Sequence, residues 1–474
     1  MKQLVSICHK ISQSLDEGDE LLSVFIDFRK AFDKVWHKGL LFKLNKIGIR
    51  GSLHKWLSSY LSDRQQCVVI QGHKSRYRPI HAGVPQGSVM GPLLFLIYIN
   101  DICYNIKSIV QFYADDTSIF RVVKNRNAIS AVNDMNDDLR VIQRLCKQWL
   151  VEVSTEKSVV MMISRRSTPT YINPVILNGQ VLQSVEHHKH LGLWFDTKFS
   201  WSYHIEQTCA KASVRINMMM PLKHKFRRHI LETIYISYVR SILEYADVVF
   251  DNCTEHLKTT IENVQIRAAQ VVTGAKRHTS HSLLYNETGW TPLRTRRHIH
   301  KVVLLQQIVH NNAPRYLTQL LPQLHASRTT RQTNKHLLGQ FQCRTELFKR
   351  SFFPSTISSW NNSITETIRQ IPISATFKRR IRDNLERPKL NELQRIVYYA
   401  GDRKTQIILS QMRLQFSNLR CHLYDKQCIS SPLCLSVYVR RPMNQFLIVF
   451  IHAIAQNLQL HDCNFIENYL LHLG

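Results

Sequence analysis

The sequence predicts an α+β fold, in which an antiparallel sheet backed by helices on one face is followed by an all-helical region. Two observations lead there. Short apolar runs at 21–28, 110–113, 117–122 and 159–164 read as strands, with helical patterns between them. Beyond Trp201, long stretches without internal Pro or Gly read as helices only.

In chain order, the strand at 21–28 carries Asp27 near its end, and a helix at 40–61 and a strand at 66–71 follow. A helix at 88–102 precedes a tight hairpin, whose strands at 110–113 and 117–122 flank Asp115 and Asp116. The next helix, 133–150, repeats apolar residues at Met135, Leu139, Ile142, Leu145, Cys146 and Trp149, close to the 3.6-residue helical period. A strand at 159–164 completes the sheet. Helices are predicted at 204–219, 228–249, 254–272 and 295–310, and the polar stretch from Pro314 through 327–335 reads as a loop. The segment 351–361, rich in Phe and Ser and ending in Trp360-Asn361, is expected to be a small hydrophobic packing unit.

The chemistry lies at the strand ends. An unpaired carboxylate on a buried strand costs several kcal/mol, so such groups are paired, exposed or neutralised by a cation. Asp27, Asp115 and Asp116 are therefore expected to gather within a few ångströms of one another around hard divalent ions, for which Mg²⁺ and phosphate chemistry are the usual combination. An Asp-Asp pair after an apolar run is often only a turn. The segment 82–92, with Gly83, Pro85, Gln86, Gly87 and Gly91 ahead of an apolar helix, makes the combination specific.

Taken in this order and spacing, the three segments closely resemble the reverse transcriptase of non-LTR retrotransposons of the jockey and chicken-repeat type. The resemblance runs from residue 1 to about residue 400 and is most specific between Ser23 and Asp196. It implies an RNA-directed DNA polymerase that joins deoxynucleotides to a primer 3′-OH. Asp27, Asp115 and Asp116 would be catalytic and, with the Phe28 backbone carbonyl, would hold two Mg²⁺ ions, for which Mn²⁺ can substitute. Phe32 matches the bulky residue that excludes a ribose 2′-OH. Gln86 and Gly87 match the loop along the incoming nucleotide and template, and Lys157 the lysine that protonates pyrophosphate. The turn at Leu191 and Gly192 resembles the hairpin that grips the primer end. Lys223, Lys225, Arg227 and Arg228 fall where a thumb would meet the nucleic-acid backbone. The implied partners are an RNA template, a DNA primer and deoxynucleoside triphosphates. The implied domains are a palm at 1–196, a helical thumb and extension at 197–310, a helical region typical of such elements at 311–400, and a degenerate tail at 401–474.

Composition agrees with a polyanionic partner. The chain has 63 Lys and Arg against 34 Asp and Glu, a formal charge of +29. Such a charge attracts RNA, DNA or an anionic surface without specifying sequence. The eleven cysteines are scattered without a Cys-x-x-Cys pair and no signal peptide opens the chain, which points to an intracellular protein, in nucleus or cytoplasm. The apolar run 446–454 is far shorter than the roughly 20 residues of a membrane span. In the tail, Cys421, His422, Cys428, Cys434, His452, His461 and Cys463 invite a zinc reading that their spacing does not favour. The serine of Gly87-Ser88-Val89-Met90-Gly91 is one position away from a nucleophile elbow. His187 to His190 are expected in a solvated turn.

Only 26 residues precede Asp27. The resembled polymerases carry a fingers region and an endonuclease before that point, so fingers are expected to be largely absent and polymerisation by this chain alone weak or absent. The alternative reading is a catalytically impaired remnant acting as a basic nucleic-acid-binding protein. An RNA-dependent RNA polymerase is disfavoured by Ala114, where those hairpins carry Gly, and by Phe32.

Overall fold

The computed structural model describes residues 1–167, 174–322, 337–385, 399 and 402–414. The tail cysteines and histidines, the run 446–454 and the stretch 327–335 of the predicted loop lie outside these residues.

Helix α1 (Lys2–Asp16) leads into strand β1 (Glu20–Phe28), the centre of a five-stranded mixed sheet. Helices α2 (His37–Lys46), α3 (Gly51–Leu61) and α4 (Met90–Ile99) come before the hairpin of β2 (Ile109–Tyr113) and β3 (Asp116–Val123). Helix α5 (Ala128–Gln148), strand β4 (Val153–Ile163) and the short β5 (Gln183–Ser184) complete the layer. The strand order is β5-β4-β1-β3-β2, with β5 parallel to β4 and the other pairs antiparallel.

The sheet is covered on both faces, not on one. Leu22, Val24, Ile26 and Phe28 of β1 enter one core with α2 to α5, while Leu21 and Phe25 enter a second core with α1 and the C-terminal helices. The reason is in the sequence of β1, which is apolar on both parities, as strands buried on two sides are. That second core runs from Leu4 to Leu414, straight across position 196.

Three elements differ from their predicted bounds for identifiable local causes. The helix expected at 40–61 breaks in two, because Gly48 and Gly51 take left-handed φ values of 95° and 65°. The strand expected at 66–71 is instead part of two nested ribbons, 65–66 with 78–79 and 69–70 with 73–74. Gln71 and Gly72, both at positive φ, turn the chain back after Ile70 and leave Val68, Val69 and Ile70 more than half exposed. Helix α5 starts earlier than 133, because the Asn127 side chain accepts the Ser130 N–H at 3.0 Å and caps it.

After the sheet, β6 (His187–His190) and β7 (Leu193–Asp196) form a hairpin, and α6 (Ser202–Met219) follows. Helix α7 (Arg228–Ile234) passes into a π-helical stretch at Tyr235–Arg240 and regular structure stops at Leu243, short of the expected 249. Helices α8 (Glu255–Thr273), α9 (His281–Thr288) and α10 (Leu293–Val309) extend this layer. Helix α11 (Phe352–Ser363) buries Phe352, Phe353, Ile357 and Trp360, and Trp360 stacks on Phe377 of α12 (Ser374–Leu385). It packs against α10 and α1, so the Phe- and Ser-rich segment is indeed a packing unit. The Asp16 carboxylate accepts the backbone N–H groups of Arg344 at 3.0 Å and Thr345 at 2.6 Å, which ties this C-terminal layer to the helix beneath the sheet.

Arg228 must be corrected. It is fully buried and donates to Glu232 at 2.9 Å and to Glu287 at 2.8 Å, while Glu287 also takes Arg413 of α13 (Arg403–Arg413) at 2.6 Å. Its place at the first turn of α7 points it inward between α9 and α13, where internal carboxylates use its charge. Of the neighbouring cations, Lys225 and Arg227 are exposed and Lys223 is half-buried.

Burial lowers the ring pKa of His9, His188, His190 and His204 from 6.5 to about 4. A group whose folded pKa is depressed gives stability that is present above the unfolded pKa and lost as pH falls through the folded one. Thermal melts from pH 7 to pH 4 should therefore show the melting temperature falling from about pH 6.5 downward, above the range where ordinary carboxylates titrate. A flat profile between pH 6.5 and 5 would contradict burial of these rings.

Candidate active site

Backbone register brings the predicted acids to one end of adjacent strands. The β1–β3 ladder ends on the pair Ile26 with Thr117, so Asp27 and Asp116 are the next pair along. Directly opposed residues share a face, and this face is the one that carries Phe25 and Phe120, whose rings lie 6.1 Å apart. Asp115 sits in the two-residue turn that joins β2 to β3, beside Ala114 at a φ of 56°. Such a left-handed alanine costs about 1–2 kcal/mol, and strain of this kind is concentrated at functional sites.

Asp27 is aimed by an irregularity in its other ladder. Between the pairs Phe25–Val159 and Asp27–Ser154, the single residue Ile26 faces residues 155–158 of β4. Ser158 turns inward and accepts the Asp27 N–H at 3.2 Å, while its hydroxyl donates to the Ser154 carbonyl at 2.7 Å. Glu156 and Lys157 are pushed outward to the lip of a cleft of about 750 Å³. Asp27, Phe28, Phe32, Gln86, Asp115 and Lys157 all line that cleft. Six of the sequence-predicted residues thus meet in one place.

The carboxyl of Asp116 is pushed above the usual range by burial first, then by the charges of Asp115 and Asp27. Among the described residues no cation forms an ion pair with any of the three acids. No three Asp, Glu, His or Cys side chains among the described residues are drawn together closely enough to hold a metal ion. Strand pairing brings the backbones of Asp27 and Asp116 to one end of the sheet, with Asp115 in the adjoining turn. The lining suits a hard divalent cation: Asp27, Asp115 and Glu156 line the cleft, without cysteine or histidine.

The remaining predicted residues are held by neighbours. The Phe32 ring stacks on Phe95 at 4.5 Å. Gln86 donates from Nε2 to Asp33 at 2.8 Å. Its loop is fastened to the 32–37 turn by Val84 N–H to the Phe32 carbonyl and Gly83 N–H to the Val35 carbonyl, each 2.8 Å. Gly83, at a φ of 94°, lies so close to Asp33 that a Cβ would meet its carbonyl oxygen at 2.7 Å. Gly87 is also left-handed, at 80°, with open space around it. Leu191 and Gly192 form the β6–β7 turn with φ values of 47° and 83°. That hairpin lies over the face of the acids: His188 stacks on Phe25 at 4.0 Å, and His190 is 3.4 Å from the Ser118 hydroxyl. The histidines are therefore strand residues, His190 buried, rather than a solvated turn.

Residues 2–195 match the family described as reverse transcriptase (RNA-dependent DNA polymerase). The matched segment contains the whole five-stranded sheet and the cleft at its end. The RNA-directed DNA polymerase from mobile element jockey of Drosophila melanogaster is 27% identical over 287 residues, covering 58% of this chain and 31% of that protein. The probable RNA-directed DNA polymerase from transposon BS of the same organism is 26% identical over 284 residues, with the same coverage of 58% and 31%. The probable RNA-directed DNA polymerase from transposon X-element, also of Drosophila melanogaster, is 24% identical over 347 residues, 71% of this chain and 37% of that protein. The chain thus spans about a third of the length of the relatives it matches. No helix among the described residues is long and apolar enough to cross a membrane.

Sequence reasoning missed several residues of the cleft. Arg29, Lys30 and Lys34 line it opposite Glu156, with Lys34 paired to Glu152 at 2.5 Å and Arg29 to Glu156 at 3.9 Å. The signal was available, since these cations directly follow Asp27. Ser158 gave none, because its role depends on the bulge.

Proposed function

We propose that the chain provides the polymerase part of a non-LTR retrotransposon protein, an RNA-directed DNA polymerase extending a DNA primer on an RNA template with deoxynucleoside triphosphates. One observation carries the reading: Asp27, Asp115 and Asp116 share one end of β1 and β3 beside a cleft whose lip is cationic. Asp27 and Asp115, with Asp116 in support and the Phe28 carbonyl, would hold Mg²⁺ or Mn²⁺, which when bound activates the primer hydroxyl and neutralises charge on the triphosphate. In the reaction the primer 3′-OH gives up its proton to water, its oxygen forms a bond to the α-phosphorus, the bond to the bridging oxygen breaks, and pyrophosphate leaves. Lys157, which lines the cleft, would donate a proton to that pyrophosphate. Arg29, Lys30 and Lys34 bind its negative charge before departure. Gln86 and Gly87 form the wall along the nucleotide and template. Leu191 and Gly192 hold the primer end, and Lys225 and Arg227, with Lys223 beside them, meet the duplex backbone as part of a helical thumb.

Phe32 sets the sugar preference in this scheme, its ring backed by Phe95 at 4.5 Å on the cleft wall. Phe32→Val should admit ribonucleotides, reducing the preference for dNTP over NTP by at least about tenfold, equivalent to roughly 1.4 kcal/mol. Single-nucleotide incorporation with matched dNTP and NTP checks this, and an unchanged ratio would remove Phe32 from the sugar site.

A further inference from the structure

We propose that Tyr245 is a positioning residue for the primer 3′ terminus, acting by fixing the Leu191–Gly192 turn over the face that carries the acids. The inference rests on the polymerase reading, and specifically on that turn holding the primer end.

The turn is held from outside its own hairpin. The Tyr245 hydroxyl donates to the Leu191 carbonyl at 2.8 Å, across 54 positions of sequence. Its ring closes on Gly192 so tightly that a Cβ there would meet Cε1 at 2.9 Å and the hydroxyl oxygen at 3.2 Å. A two-residue turn with both residues left-handed is the tight turn that suits a hairpin, and the Tyr245 hydrogen bond and ring contact add the restraint that ties its tip to the helical layer.

Tyr245 is itself fixed. It follows Glu244, which pairs with Arg240 at 3.5 Å and also with Arg296 of α10. It precedes Ala246, which takes a left-handed φ of 53°. The chain reaches it through the π-helical stretch 235–240, an irregularity that turns the following residues relative to an α-helical course. The base of the hairpin is tied to the acids' sheet through His188 on Phe25 and His190 beside Ser118. The tip is tied to the helical layer through Tyr245. The hairpin is therefore a bridge between the two, with its tip positioned by the helices.

Half of the Tyr245 side chain remains exposed, although one hydrogen bond and one glycine contact are already made. Tyr238, on the π-helical stretch that leads to Tyr245, is also 45% exposed and carries the Arg215 guanidinium 3.9 Å from its ring centre. Exposed rings interleaved with cations suit the sugar and base faces of a terminal nucleotide rather than a protein core.

The test compares binding of a DNA primer on an RNA template, with a recessed 3′ end, against a blunt hybrid of equal length, by fluorescence anisotropy. Tyr245→Phe keeps the ring and removes the bond to Leu191; it should weaken recessed-end binding about fivefold, the value of one hydrogen bond, with the blunt hybrid changed less than about twofold. Tyr245→Ala should weaken the recessed end about tenfold or more, with a melting temperature within about 2 °C of the parent because the residue is half exposed. In steady-state extension, the KM for primer-template should rise while the KM for dNTP stays constant. Equal losses on both hybrids, unchanged binding in both variants, or a large drop in melting temperature without a recessed-end effect would overturn the proposal while leaving the polymerase reading intact. A parent protein that shows no preference for the recessed end would overturn both.

Discussion

Asp115→Asn is expected to reduce deoxynucleotide incorporation by about a thousandfold or more, since losing a charged ligand to a catalytic ion removes several kcal/mol of transition-state stabilisation. The substitution is nearly isosteric and lies in a solvent-reached turn, so folding and duplex affinity should not change. Primer extension on an RNA template with Mg²⁺ or Mn²⁺ gives the rate; anisotropy gives the affinity. Loss of extension together with loss of duplex binding would mean that the turn is structural. Retained extension would exclude Asp115 from the chemistry. Asp116, whose carboxyl is raised by burial and by Asp115 and Asp27, adds a pH effect of known sign. A raised pKa means protonation begins at higher pH than for an ordinary aspartate, so the affinity for Mg²⁺ should begin to fall on acidification from above the usual carboxylate range.

The second large effect is on stability. Arg228→Met keeps much of the side-chain volume but removes the cation between Glu232 and Glu287. Breaking a buried pair by deleting one partner costs about 3–5 kcal/mol, because the remaining charge stays buried. Arg413 still reaches Glu287, so the lower end of that range is expected. Chemical denaturation followed by circular dichroism measures it. Duplex affinity per folded molecule should be unchanged; an unaltered stability with weakened binding would return Arg228 to the nucleic-acid surface. The contrast with Arg227, exposed one residue earlier, shows how little a basic cluster says about each of its members.

That contrast also marks where sequence information runs out. The acids of β1 and the β2–β3 hairpin were legible because a carboxylate ending an apolar strand has few physical explanations, and strand pairing then places them. Lys157 and Gln86 were singled out by the resemblance, and both line the same cleft. Arg228 was misplaced because its partners, Glu287 and Arg413, are 59 and 185 positions away and no local pattern records them. Tyr245 and Ser158 were invisible for a related reason: each acts through a backbone irregularity, a π-helical stretch or a bulge, that propensity does not encode. The second face of the sheet was a misreading of visible information, since the unbroken apolar run of β1 already called for cover on both sides.

The central claim is that Asp27, Asp115 and Asp116 converge on divalent ions. The most direct measurement is anomalous diffraction from crystals of the chain with primer-template, a nonhydrolysable deoxynucleoside triphosphate and Mn²⁺. The expected result is manganese density between Asp27 and Asp115, with the Phe28 carbonyl as a further ligand and the triphosphate against Arg29, Lys30 and Lys34. Manganese bound elsewhere, or the three carboxylates remaining apart with the nucleotide seated, would contradict the account.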